Sequence, residues 1–241
     1  MILPNVRASF DTAAVHALAG CVAEHTGRPA GGWVRRAREE GPDALLDHPD
    51  ASAAVIETRR IAALPAPLVF YVLVRRALLD ADVPDPRIAD YLATLLHEFA
   101  QRGRAFRVAR HDDKEYRYLV DLVSDLDGSV AQRRFLLYAH LGNFALWLAG
   151  LFPDHITARV HRKGAPGLGY YEDLGAYGYR AAADFEWAHT FDLSSLYRDA
   201  AALFRVLRRA LNRISDRFLF PQPPAPADRL LRQVADELGL N

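Results

Sequence analysis

The chain has 241 residues, enough for one sizeable hydrophobic core, and 51% hydrophobic with 25% charged residues is ordinary globular usage. That balance excludes a disordered, collagenous or disulfide-built protein. Thirty Lys+Arg match thirty Asp+Glu, so no global basic field is available to hold nucleic acid.

Charge is also even along the chain. Up to Gly128 there are 16 basic and 19 acidic residues, and 14 and 11 follow, so the halves differ only from −3 to +3. Lys114 and Lys163 are the only lysines, and this arginine bias reads as coding composition rather than as a recognition device. Cys21 is the single cysteine, which removes intrachain disulfides and Cys-based zinc sites and fits a reducing cytoplasm. The start, MILPNVRASF, lacks the charged, apolar and small-residue regions of a signal peptide.

Apolar residues recur at three- and four-residue spacing almost throughout, with no sustained alternation, so an all-α fold is expected. In chain order, Asp11 caps a helix ending near Gly27, a short helix spans Trp33 to Glu40, and another runs from about Asp50 to Ala63. The Pro65/Pro67 pair stops it, and Leu68 to Leu79 resumes on a new axis. The VPDP turn leads into Arg87 to Arg102, and Asp112 or Asp113 caps a helix reaching about Asp127.

Gly128-Ser129 opens a central helix over about 129–150. Its run from Phe135 to Phe152 holds no charge, but with His140, Asn143 and two glycines it reads as the buried helix of a bundle rather than a membrane span. Pro153 starts a short helix, GAPGLG (Gly164 to Gly169) is a loop, and Tyr170 to about His189 is helical. Asp192 or Ser194 caps a long amphipathic helix to about Phe218, and PQPPAPA (Pro221 to Ala227) is a stiff connector. The organisation expected is a compact bundle of about ten helices in a single domain over 1–220, the connector 221–227, and a C-terminal helix over 228–241, docked or loosely attached.

Gly142, Ala145 and Ala149 place small residues on one face of the central helix, and Gly175, Gly178 and Ala182 repeat the spacing in the later one. Each helical glycine costs about 0.8–1.0 kcal/mol against alanine, so a compensating close crossing of the two helices is expected. The opposite face of the central helix carries His140, Asn143 and Trp147, and the partner helix brings Tyr171 and Tyr179. These five residues form a candidate ligand pocket, with a buried hydrogen-bond network that fixes helix register as the other reading.

LGNFALWLAGLFP (Leu141 to Pro153) followed by GYYEDLGAYGYRAAA (Gly169 to Ala183) resembles a pattern in an uncharacterised family of bacterial all-helical proteins. The resemblance covers these two helices and implies a helical fold; it carries no activity, ligand or catalytic residue.

The candidate chemistry is sparse. Glu186 and His189 form one Glu-x-x-His, and a di-iron bundle needs a second copy and two more glutamates, so no metal or other cofactor is expected. Arg162-Lys163, GAPGLG and a helix N-terminus could offer positive charge and backbone N–H groups to a phosphate, but the pattern is not a P-loop and reads first as a turn. Arg198, Arg205, Arg209 and Arg213 form a stripe in a stretch of local charge +4, a candidate interaction face. The leading expectation is a cytoplasmic protein-interaction or regulatory module without chemistry of its own, its partner another protein or a second copy. The alternatives are a small-molecule-binding or enzymatic bundle using the His140/Asn143/tyrosine region, and, less favoured, nucleic-acid binding through the arginine stripe.

Overall fold

The computed structural model describes residues 1–58, 62–223 and 225–238, Leu238 by its backbone alone. The described residues form an all-α fold, with fourteen α-helices and no strand. The chain divides into two compact units, Ile2–His97 and Glu98–Asn241, with Met1 belonging to the second.

The N-terminal unit holds α1 (Thr12–Thr26), α2 (Ala30–Glu39), α3 (Asp43–Leu46), α4 (Pro49–Glu57), α5 (Ala66–Leu79) and most of α6 (Pro86–Ala100). Asp11 caps α1 as its sequence implies, accepting from the Ala14 amide at 2.8 Å, and Gly27 closes the helix at φ 70°. α1 packs on α2 and α4, burying Leu18, Val22, Ala51 and Val55. Buried Arg75 forks onto both carboxylate oxygens of Asp47 at 2.8 and 2.7 Å and donates to the Pro84 carbonyl, so its charge is fully engaged. The helix expected over Asp50 to Ala63 ends as α4 at Glu57, and residues 59–61 lie outside the described residues.

The C-terminal unit holds α7 (Leu119–Ser124), α8 (Ala131–Leu151), α9 (Pro153–Lys163), α10 (Leu168–Ala183), α11 (Glu186–Thr190), α12 (Ser194–Ala202), α13 (Phe204–Ile214), a π turn at Ser215–Leu219, and α14 (Pro226–Leu238). α8 is its axis, packed by α10, α13, α7 and α9. No single helix among the described residues is long and apolar enough to cross a membrane; α8 and α9 reach that length only as a pair bent by 88°.

The expected close crossing is present. A Cβ on Gly142 would lie 2.5 Å from the Tyr179 ring, and one on Gly175 would meet Ala145 at 2.8 Å and run into Phe204. The small faces of α8 and α10 therefore touch, and the contact offsets the cost of their helical glycines.

Three expectations for this unit require correction. The span 112–118 is not helical, because Asp112 is drawn away from capping: it accepts from the Ala109 amide at 3.0 Å and from Arg133 at 2.7 Å. A helix forms there only from Leu119. The helix expected to His189 stops at Ala183, and Phe185 turns inward toward Phe135 and Tyr138, with ring centroids 5.9 and 6.0 Å away. The long helix expected to Phe218 is broken at Leu203, which lets Phe204 seat against Gly175 and Tyr179. Neither Asp192 nor Ser194 caps its first piece, since the Ser194 hydroxyl donates to the Ala183 carbonyl at 2.7 Å.

The C-terminal helix is docked, and by its charged side. Arg229 reaches Asp154, Arg232 reaches Asp216, and Asp236 accepts from Arg208. Its apolar stripe points outward, leaving Leu230 61%, Leu231 69% and Val234 44% exposed. Pro224 of the connector and residues 239–241 lie outside the described residues.

Candidate functional site

His155, Arg159, Arg162 and Lys163 recur along α9 at i, i+4, i+7 and i+8, which places them on one helix face. That face lines a cleft of about 590 Å³ in the C-terminal unit, together with Tyr118, Phe152, Phe220 and Arg229. A second cleft of about 600 Å³ shares Tyr118, Phe152, His155 and Arg159 with the first, so the two adjoin. This second part is richer in aromatic side chains, with Phe106, Phe144, Trp147 and Tyr170 beside Arg117. The site therefore has a cationic end and an aromatic end.

Helix geometry explains the arrangement. Pro153 breaks the chain after α8 and turns α9 by 88°, so α9 lies across the end of the core helix instead of continuing it. Ile156 on the inner side of α9 is buried, and the basic positions remain on the cleft side. Lys163 and Arg162 also suit the last turn of a helix, where the macrodipole favours cations.

The charge inside the cleft is uncompensated. Asp154 is the one carboxylate in the lining of the cationic end, and its oxygens are taken by Arg229 at 2.9 and 2.5 Å and by Arg232 at 3.4 Å. Arg159 lies 5.8 Å over the Tyr118 ring, a cation–π contact that leaves its guanidinium N–H edge free. Arg159, Arg162 and Lys163 enter no ion pair among the described residues. Such a lining can hold an anion at one end and stack a flat apolar group at the other. Tyr171 borders the aromatic end, and burial raises its phenol pKa, so it stays a neutral hydrogen-bond donor.

Of the five residues expected to form a pocket, only Trp147 and Tyr171 line this cleft. The other three lie in packed core. The Tyr179 hydroxyl donates to Asn143 Oδ1 at 2.9 Å inside the α8–α10 contact. His140, 4% exposed, stacks on Phe144 at 5.8 Å and faces Phe99, and its Nε2 has no hydrogen-bond partner. Burial, reinforced by the positive charge of Arg104, pushes its pKa down to about 3, so it is a neutral core imidazole. The pair Asn143–Tyr179 forms a buried hydrogen bond between α8 and α10.

The arginine stripe is also largely consumed inside the chain. Arg198 pairs with Asp184 at 3.1 Å, Arg205 with Glu172 at 2.8 Å and Arg209 with Asp236 at 3.5 Å, while Arg213 is exposed. The break at Leu203 further separates Arg198 from the other three. Glu186 and His189 are exposed on the five-residue α11, and no group of three His, Cys, Asp or Glu is placed to hold a metal among the described residues.

Two features escaped the sequence. Arg208 is fully buried, donating to Glu172 at 2.9 Å, Asn212 at 2.9 Å and Asp236 at 2.5 Å. Asn212 then donates to the Ala149 and Gly150 carbonyls, and Ser215 to Leu151, which satisfies the end of α8. A signal existed: Arg208 falls at i+4 from Phe204 and i−3 from Leu211, within the apolar face of its helix. The cationic cleft gave a weaker one, the basic repeat from His155 to Lys163.

The fold and site together define an all-α protein whose second unit carries an aromatic, cation-lined cleft. No family model matches the chain, and neither a curated protein nor a solved structure matches it.

Proposed function

We propose that the C-terminal unit is a binding domain for an anionic small molecule with a flat apolar body. The observation that carries this reading is the set Arg159, Arg162 and Lys163, free of carboxylate partners, at one end of a cleft whose other end is aromatic. Clefts of this size, mostly apolar with a few charged groups, are the usual form of ligand sites, which span roughly 300–1,000 Å³. The expectation of a protein-interaction module has support in the outward stripe of α14, but the stripe selects no chemistry, whereas the cleft selects charge and shape.

The test uses anilinonaphthalene sulfonate, an aromatic anion that fluoresces in apolar surroundings. It should bind the wild type with one dominant site, and the triple variant Arg159→Gln/Arg162→Gln/Lys163→Gln should lose that site while keeping its helical circular dichroism. Unchanged dye binding in the folded triple variant would overturn the reading.

A further inference from the structure

Resting on that reading, we infer that the anion recognised is a phosphate monoester carried on an aromatic or heteroaromatic body, with the phosphate held along the last turns of α9. Three cations converge on the cationic end, and a monocarboxylate would neutralise only one of them. A phosphate monoester carries a charge of about −1.5 to −2 at pH 7 and three acceptor oxygens, which matches two arginine forks and one ammonium.

The turn between the helices leaves these cations available. Gly164, at φ 59°, closes α9: its amide donates to the Val160 carbonyl at 3.0 Å, and that of Ala165 to Arg159 at 3.4 Å. The Arg159 and Val160 carbonyls are thereby served by backbone, and neither Arg162 nor Lys163 donates to a carbonyl of the turn among the described residues. On the far side of the turn, α10 starts after Gly167 with no side chain accepting from its first-turn amides. Pro166 and Tyr170, which flank that start, line the aromatic part, so the positive end of a 16-residue helix borders the space next to the cationic end and adds no ligand of its own there.

The aromatic body has its own surfaces. Tyr118, 55% exposed, offers one ring face opposite the Arg159 contact, and Trp147 and Tyr170 stand along the adjoining aromatic part. Stacking on such faces accepts any flat ring, because every such ring has a π-face. Arg162-Lys163 before GAPGLG reads as a bare turn in sequence, and the fold sets both cations in the lining of a cleft.

Calorimetric titration with naphthyl phosphate, naphthoate and inorganic phosphate tests it. Naphthyl phosphate should bind about tenfold or more tighter than naphthoate, which shares its body, and tighter than inorganic phosphate, which lacks it. Arg162→Gln and Lys163→Gln should each narrow the preference for the phosphate ester, and Tyr118→Ala should weaken both naphthyl compounds without changing inorganic phosphate. Equal affinity for naphthyl phosphate and naphthoate would overturn the phosphate assignment and leave the cleft reading standing. No binding by either naphthyl compound would overturn both.

Discussion

A Cβ on Gly178 would stand 2.9 Å from the backbone nitrogen of Gly142, so α8 and α10 meet main chain to main chain at that point. The same Cβ would lie 2.8 Å from the Tyr138 carbonyl oxygen, and backbone cannot swing aside as a side chain can. Gly178→Ala should therefore destabilise by about 1–3 kcal/mol, although alanine is the better helix former by about 0.8–1.0 kcal/mol. Gly32→Ala in α2, with nothing within 4 Å of the new methyl, should be neutral or mildly stabilising. Urea denaturation of both variants measures the contrast, and equal effects would mean the crossing is not tight.

His140 should make stability fall on mild acidification. Its pKa drops from 6.5 to about 3 on folding, so between those values the unfolded chain binds the proton and the folded chain does not. Stability is then fully present above about pH 6.5 and lost as pH falls toward 3, at up to about 1.4 kcal/mol per unit. Denaturation from pH 7 to pH 5 should show a shallower pH slope for His140→Phe than for the wild type. Identical slopes would show that His140 is not held neutral by burial.

Removing the buried guanidinium of Arg208 leaves Glu172, which is 2% exposed, to the half-exposed Arg205 alone, and takes from Asp236 of α14 its shortest partner. Arg208→Met should cost about 3–5 kcal/mol, the usual loss when one partner of a buried pair is deleted. Asp236→Asn should cost less and raise amide exchange in α14 ahead of α8. Exchange rising equally in both helices would argue that α14 is not held through this contact.

The outward stripe of α14 should be dispensable for the folded monomer. Leu231→Ser removes a side chain that is 69% exposed, so thermal stability should stay within about 0.5 kcal/mol of wild type. A larger loss would show that the stripe is covered, and light scattering on the same pair would show whether a second copy covers it.

The helical class, the boundaries of α1 and the crossing of α8 and α10 were legible in the chain because each depends on neighbours in sequence. Asp11 and Gly27 act within one turn of their helix, and the three- and four-residue spacing of Gly142, Ala145, Gly175 and Gly178 is a property of the helix itself. Breaks at Leu203 and Asp184 were not legible, since no Gly or Pro marks them and inward-turning Phe204 and Phe185 produce them through distant partners. The same holds for charge. Arg205 and Arg209 look like free cations in sequence, and only the positions of Glu172 and Asp236, more than twenty residues away on either side, show that both are spent. Arg159, Arg162 and Lys163 remain available for the converse reason: the bend at Pro153 carries their helix face away from every carboxylate but Asp154, and Arg229 and Arg232 from α14 occupy that one.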